Sequence, residues 1–190
     1  TDYFEIVMDT AMKGLYEFMQ GKPLSVKIYE IEQPDVMLWA VWALQQYARV
    51  VGKEAAFKRY GKLLQDITMF IDSNKHPHLQ LRENGLLHTE GRERPMTWMN
   101  SVANGRPVVP RTGYIVEINA LWYNALRFGE MMTQEENELE VSKMLGEMAE
   151  KCKKAFVDTF LNEYGYLYDY VDGNGMEKLN NRVQLNVFRI

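Results

Sequence analysis

Apolar residues recur along most of this chain at intervals of three and four positions, the spacing that places them on one face of an α-helix. The strict alternation that is typical of a strand nowhere extends beyond a few residues. Glycine and proline residues interrupt the helical pattern and divide it into segments. The pattern predicts five helices, at 4–19, 35–52, 54–71, 115–132 and 133–162.

Two kinds of predicted helix alternate along the chain. Segments 35–52 and 115–132 carry few charges and are apolar around most of their circumference, which predicts buried, inner helices. Segments 54–71 and 133–162 have one apolar stripe and charged residues elsewhere, which predicts half-exposed, outer helices. Hairpins of an inner and an outer helix are typical of an α/α toroid or a helical solenoid. Because no repeat of fixed length is present, we expect an all-α toroid.

Two helix starts carry a capping pattern. Capping side chains accept hydrogen bonds from the backbone N–H groups that a helix leaves free in its first turn. Asp35 follows Pro34 and is a candidate N-cap of the second helix. Thr133, with Glu136 three residues later, matches a capping box and places the start of the fifth helix at Thr133.

The longest interruption of the helical pattern covers residues 74–113 and contains proline or glycine at eight positions. A connection of this length inside a compact domain is usually functional or disordered. Its apolar residues, among them Leu86, Leu87 and Trp98, favour order because their burial offsets the entropy lost on folding. We therefore expect an ordered loop that builds a site at one mouth of the helical array.

Composition and charge exclude several classes of protein. The 190 residues are 46% hydrophobic and 25% charged, which is ordinary for a globular domain. A formal net charge of -4 leaves no basic surface for a nucleic-acid backbone. No apolar run reaches the ~18 residues of a membrane span. We expect a soluble domain without nucleic-acid or membrane partners, and the single Cys152 favours a reducing, cytoplasmic location.

Cofactor and metal sites have little support in the sequence. His76, His78 and His88 lack the cysteine partners and the helical spacing of a zinc site. There is no glycine-rich phosphate loop and no Gly-x-Ser-x-Gly nucleophile elbow. We therefore expect neither a metal nor another cofactor.

The most distinctive residues lie at the end of the long loop and in the helix that follows it. They read TWMNS at 97–101, PRTGY at 110–114 and VEINALWYNAL at 116–126. Together they resemble the signature of the amylo-α-1,6-glucosidase domain of glycogen debranching enzymes. Because DVMLW at 35–39 and YLYDYVD at 166–172 are similar to other motifs of that family, the resemblance covers most of the chain.

The resemblance implies an (α/α)6 toroid, a barrel of six helical hairpins, of which residues 1–190 form about half of a single domain. It also implies inverting hydrolysis of α-1,6-linked glucose at branch points of glycogen or α-glucan oligosaccharides. An inverting enzyme holds its acid and its base about 6.5–9.5 Å apart. The family's general base is expected beyond residue 190, in the rest of the parent debranching enzyme, so we expect the isolated chain to be inactive.

One position departs from the family pattern. In the family an Asp follows Thr-Trp-Met and is the proposed general acid, whereas this chain has Asn100. An amide has no proton to donate, and losing general acid catalysis lowers a rate by about 10²–10⁴. Either Glu117 takes the acid role, or the domain is a carbohydrate-binding pseudoenzyme. A helical scaffold for protein interaction is a third alternative.

The other expected site residues also follow from the resemblance, and most have a structural alternative. Asp35 and Glu117 stand at helix starts, where the helix dipole favours a carboxylate. An N-cap for Asp35 and an ion pair of Glu117 with Arg111 are the alternatives, and tryptophans of inner helices can pack in the core instead of on glucose. We expect Asn100 and Glu117 at the catalytic positions. Substrate contacts are expected from Asp35, Trp39, Trp98, Arg111, Asn119 and Trp122.

Overall fold

The computed structural model describes residues 2–172, and five helices dominate this part of the chain. They confirm the five helical segments, with all but one end within a few residues of the predicted position. The helices are α1 (Asp2–Met19), α2 (Val36–Val51), α3 (Lys53–Asp72), α4 (Val116–Glu135) and α5 (Leu139–Phe160).

The fold is mostly helical, as predicted, and six short strands that were not predicted accompany the helices in the described part of the chain. Strands of two or three residues are too short to show an alternating pattern. Four form an antiparallel sheet in the order β1-β2-β5-β6, and β3 and β4 form a separate hairpin. The strands are β1 (Gln80–Leu81), β2 (Leu87–Thr89), β3 (Val102–Ala103), β4 (Arg106–Pro107), β5 (Gly113–Ile115) and β6 (Tyr170–Val171).

Helix α4 forms the centre of the core and confirms the prediction of an inner helix. It packs against α2, α3 and α5, and its Trp122 is 1% exposed. Helix α2 buries one face through residues such as Leu38 and Val41. The expectation of a buried α2 holds for that face only, because Trp39 and Trp42 on the other face are 47% and 43% exposed.

Helices α3 and α5 are half-exposed, as predicted for outer helices. Each buries one stripe, represented by Leu64 and Ile67 in α3 and by Ala149 and Cys152 in α5. Burial raises the pKa of the Cys152 thiol to about 12, so this side chain behaves as a small apolar residue. No helix within residues 2–172 is long and apolar enough to cross a membrane.

The predicted start of the fifth helix is wrong. Thr133 belongs to α4, where its buried hydroxyl donates to the carbonyl of Gly129 at 2.8 Å instead of capping a new helix. A threonine hydroxyl inside a helix can hydrogen-bond to the carbonyl four residues earlier. Thr133 therefore does not have to stand at a helix start. The chain turns later, at Asn137, which has a left-handed φ of 60°, and α5 begins at Leu139.

The long loop contributes strands β1, β2 and the start of β5 to the four-stranded sheet. Strand β5 pairs with β2 and leads directly into α4. Asn119 of α4 locks this junction, because its amide oxygen accepts from Leu87 N–H at 2.7 Å and its nitrogen donates to Leu87 O and Ile115 O, both at 3.0 Å. Strand β6 pairs with the other edge of β5, with Tyr170 opposite Ile115. The sheet therefore holds the start of α4 between two distant segments of the chain.

Candidate functional site

A cavity of about 370 Å³ lies between the first turns of α2 and α4, the long loop and the residues just before β6. Most of its wall is apolar, and one end is charged. The apolar side chains come from α2, from the loop and from one face of α4. They include Trp39, Trp42, Trp98, Val116, Ala120 and Leu121.

The charged end of the cavity is an ion cluster centred on Arg111, whose side chain is only 3% exposed. Its Nη1 and Nη2 groups donate to the two carboxylate oxygens of Glu117, with Nη2 2.6 Å from Oε2. Its Nε and Nη2 groups donate to Asp169 at 3.1 and 2.7 Å. Nη1 also donates to the Thr97 hydroxyl at 3.0 Å. Because a guanidinium has five N–H bonds, these contacts use every donor of Arg111.

The cluster joins one cation to two carboxylates and is therefore negatively charged overall. Burial acts to lower the pKa of Arg111, but the hydrogen bonds and charge of Glu117, together with the charge of Asp169, raise it above its ordinary value. Burial raises the pKa of Asp169, Arg111 opposes this rise, and the charge of Glu117 adds to it. Arg111 is thus a permanent cation that holds two mutually repelling carboxylates together.

A third carboxylate, Asp35, lies half-buried at the start of α2. Burial raises its pKa and the charge of Glu117 adds to the rise, while hydrogen bonds that its carboxylate accepts from its own backbone N–H and from the Trp39 side chain oppose it. Asp35 occupies the N-cap position, but its side chain makes no capping hydrogen bond to α2, a helix that the structure describes in full. An N-cap role therefore does not account for this side chain.

The aromatic wall is built mainly by α2. Trp39 and Trp42 are three residues apart and share one helix face, and their rings meet edge to face with centroids 5.8 Å apart. Trp98 extends from the loop and is 64% exposed. Exposed aromatic rings offer flat apolar surface, and the carboxylates nearby accept hydrogen bonds. This combination suits a neutral ligand that has both C–H faces and hydroxyl groups.

Comparison with known families agrees with this geometry. The family model described as amylo-alpha-1,6-glucosidase matches residues 25–187, a range that includes every cavity residue named above. This chain belongs to the amylo-alpha-1,6-glucosidase family. The resemblance of the motifs is confirmed, and the domain is related to glycoside hydrolases of the glycogen-debranching type. Searches of curated proteins and of solved structures gave no match.

Half of the predicted site residues meet at the cavity of this amylo-alpha-1,6-glucosidase domain. These are Trp39, Trp98, Arg111 and Glu117, and the charge of Glu117 also reaches Asp35. The ion pair of Arg111 with Glu117, foreseen as a structural alternative, is present. Since all its donors are occupied, Arg111 organises the cavity without a free N–H for a ligand.

The other four predicted residues do not line the cavity: Asp35 lies beside it at the start of α2, and three lie elsewhere. Asn100 is exposed at the entrance to the β3–β4 hairpin, where its backbone N–H donates to Trp98 O at 3.0 Å. Asn119 is fully buried and its side-chain amide is hydrogen-bonded to the backbone, and Trp122 packs in the core. The substrate contacts expected of Asn119 and Trp122 do not follow from this geometry, because both side chains point away from the face of α4 that carries Glu117.

Of the cavity residues that were not predicted, three are aromatic or polar: Trp42, Asn124 and Asp169. Trp42 follows Trp39 by three positions and Asn124 follows Glu117 by seven, so helical spacing is a signal that could have found both. Asp169 has no such local signal. It is 58 positions from Arg111 along the chain and reaches it because β6 pairs with β5.

Proposed function

We propose that this domain hydrolyses α-1,6-linked glucose at the branch points of glycogen-like α-glucans by an inverting acid/base mechanism. The observation that carries the proposal is the cavity, where three tryptophans adjoin an ion cluster of Arg111, Glu117 and Asp169. Its volume of about 370 Å³ lies at the small end of the range for small-molecule sites. That size suits the terminal glucose of a branch and not a glucan chain in mid-length.

The arrangement of the helices supports an (α/α)6 toroid as the complete fold. The inner helices α2 and α4 both direct their first turns toward the cavity, and each is followed by a more exposed helix, α3 or α5. The chain thus contains two hairpins of the same kind. Repetition of this hairpin around an axis closes a ring, with the cavity at the mouth formed by the starts of the inner helices.

The geometry argues against Glu117 as the acid that replaces the missing carboxyl at Asn100. Both Glu117 oxygens accept N–H bonds from Arg111, so the side chain is held as an acceptor. Nη2 of Arg111 donates to Glu117 at 2.6 Å and to Asp169 at 2.7 Å. Because both acceptor oxygens bind the same nitrogen, the distance between the oxygen of Glu117 and that of Asp169 cannot exceed the sum of these two distances. An inverting pair needs about 6.5–9.5 Å between its carboxyl groups to admit water. Glu117 and Asp169 are therefore not that pair.

We propose as general acid Asp35, which lies at the start of α2 where the charge of Glu117 acts on it, although it does not itself line the cavity. A general acid must carry a proton when the reaction begins, and burial, with the charge of Glu117 adding to it, shifts the pKa of Asp35 in the direction that favours the protonated form. None of the six hydrogen bonds of the Arg111 side chain goes to this carboxyl. The general base is a carboxylate that the rest of the toroid supplies from outside the described residues.

The reaction is tested with a limit dextrin that carries single α-1,6-linked glucose units. We expect the full parent protein to release glucose, and NMR early in the reaction to show the β-anomer first, because inversion converts the α-linkage. Asp35→Asn is expected to lower the rate by about 10²–10⁴ with little change in dextrin binding. The isolated chain is expected to release none. Early α-glucose, or full activity of the Asp35 variant, contradicts the mechanism.

Asn100 favours a second function, carbohydrate binding without catalysis. It stands where the family has its proposed acid, and an amide there can hydrogen-bond an oxygen but not protonate it. Asn100→Asp in the parent protein separates the two functions. A large gain in glucose release identifies a decayed catalytic position, whereas an unchanged rate places the acid elsewhere. Trp98→Ala is the companion variant, since a scaffold for protein interaction predicts no effect of this change on sugar binding.

A further inference from the structure

Asp169 reaches the cavity from a distant part of the chain and is held there by the backbone. Its carbonyl accepts from the N–H of Val116 at 3.1 Å, and the next residue, Tyr170, pairs with Ile115 across the sheet. These contacts place Asp169 beside the first turn of α4, which carries Glu117. Two acidic side chains from separate segments are thus set side by side at one end of the cavity.

Arg111 fixes the orientation of both carboxylates. It donates to both oxygens of Glu117 and to both oxygens of Asp169, so each carboxylate is gripped by two N–H bonds. An ionised carboxylate has about four acceptor sites, so each retains capacity for further hydrogen bonds. The side chains of Glu117 and Asp169 are 17% and 11% exposed, and both line the cavity. They can therefore accept from a ligand while Arg111 holds them.

The backbone of Arg111 is as firmly placed as its side chain. A Cβ at Gly91 would lie 1.8 Å from the carbonyl oxygen of Arg111, so the two backbone segments are in direct contact. The carbonyl of Val109 accepts from the Arg111 N–H at 2.9 Å. A rigid base for the guanidinium keeps the two carboxylates in one geometry before any ligand arrives, which lowers the cost of ordering them on binding.

We propose, building on the function proposed above, that Asp169 contacts the substrate and forms with Glu117 a paired acceptor for two hydroxyl groups of one glucose ring. Arg111 is the positioning residue of this pair and does not touch the sugar. Since the guanidinium has no free donor and the cluster is negative overall, the site selects a neutral ring that donates hydrogen bonds. A uronic acid or a sugar phosphate brings a second negative charge and is rejected.

The test is a double-mutant cycle between protein and ligand, with binding to the full parent protein measured by calorimetry. The ligands are glucose, its single-deoxy analogues and glucuronic acid. We expect Asp169→Asn to weaken glucose binding about tenfold, which corresponds to about 1.4 kcal/mol. One deoxy analogue should bind the wild type about tenfold more weakly than glucose binds the wild type. The same analogue and glucose should bind the Asp169→Asn variant with equal affinity. Glu117→Gln should show the same coupling to a different, neighbouring hydroxyl.

The role of Arg111 is tested by chemical rescue. Arg111→Ala is expected to lose glucose binding, and added guanidinium ions at millimolar concentration should restore part of it, whereas sodium chloride at equal ionic strength should not. Thermal unfolding of each variant establishes that it is folded. Where Asp169→Asn does not fold, Asp169→Glu takes its place, since it keeps the charge and shifts the acceptor oxygens, and the pattern of deoxy analogues should then change.

The possible outcomes are distinct. If glucose binds the wild type but every deoxy analogue loses affinity equally in the wild type and in Asp169→Asn, the Asp169 contact is wrong while the proposed function stands. Glucuronic acid binding as tightly as glucose also overturns the paired acceptor. If the wild type binds neither glucose nor the limit dextrin, the proposed function fails and the Asp169 assignment fails with it.

Discussion

The cavity at the start of α4 and a groove between α3, α4 and α5 have nearly the same size, about 370 and 350 Å³, and both have mostly apolar walls. Their polar groups differ. In the groove, beside residues such as Leu64 and Met69, Gln65 donates a hydrogen bond of 2.6 Å to Glu138. In the cavity, a buried guanidinium binds two carboxylates below exposed tryptophan rings.

This difference shows that volume alone does not identify a site. An apolar groove is expected wherever packed helices diverge, and it needs no function to explain it. A buried ion cluster is different, because removing charges from water costs several kcal/mol per ion and such clusters add little to stability. The Arg111 cluster is therefore better explained by what it holds in place than by any contribution to folding.

The largest expected effect is on Arg111. Its replacement by methionine leaves Glu117 and Asp169 partly buried without their cation, and we expect the free energy of unfolding to fall by about 3–5 kcal/mol. Urea unfolding measures it. Gln65→Met in the groove is the matched control, and a change within about 1 kcal/mol is expected there. Equal losses at the two positions would remove the distinction between the cavity and the groove.

Leu64 and Trp39 are expected to give opposite results. Leu64→Ala in the groove deletes a buried side chain and should lower the free energy of unfolding by about 2–5 kcal/mol, with sugar binding unchanged. Trp39→Ala in the cavity removes a ring that is 47% exposed, so stability should change less while affinity for a glucose oligosaccharide falls about tenfold. Urea unfolding measures the stability of both variants, and calorimetry measures their affinity for the sugar. A loss of sugar binding in Leu64→Ala would contradict the prediction.

The helices could be predicted from the sequence because they rest on local spacing. The start of α5 was misplaced because Thr133 and Glu136 have the pattern of a capping box, yet the Thr133 hydroxyl bonds to its own helix. The strands were not predicted, since two or three residues are too few to show an alternating pattern, and the pairing of β5 with β6 also depends on a partner far along the chain. Pairs such as Tyr170 with Ile115 leave no periodic trace in the sequence.

The candidate site was predicted only where its residues share a motif or a helix. Arg111 and Glu117 come from adjoining motifs and meet in the cavity. Asn119 and Trp122 belong to the same motif, but a motif states which residues are present and not which face of the helix they occupy. Asp169 lies within the motif at 166–172, but its place in the site was not predicted, because that place depends on the pairing of β6 with β5. Contacts between distant segments carry the part of the site that local patterns miss.

The smallest expected effect concerns Asp35. At pH values above the raised pKa of Asp35, where its carboxyl is ionised, Asp35→Asn should raise the free energy of unfolding by about 0.5–2 kcal/mol, since it removes a half-buried charge that the charge of Glu117 repels. The folded-state pKa of Asp35 is raised, so on acidification the folded protein takes up this proton at a higher pH than the unfolded chain. The wild type therefore regains this stability as the pH falls through the raised pKa, and the advantage of the variant shrinks.

Urea unfolding at a series of pH values measures this effect, with Glu138→Gln in the groove as the control. Glu138 accepts a hydrogen bond from Gln65, so its amide variant should show no gain near neutral pH. A gain from Asp35→Asn that persists unchanged in acid would mean that the charge of Asp35 is not its cause. A gain that fades in acid, together with a loss of glucose release, would show that the protein keeps a destabilising carboxyl because the reaction uses it, and no residue of the groove should behave in this way.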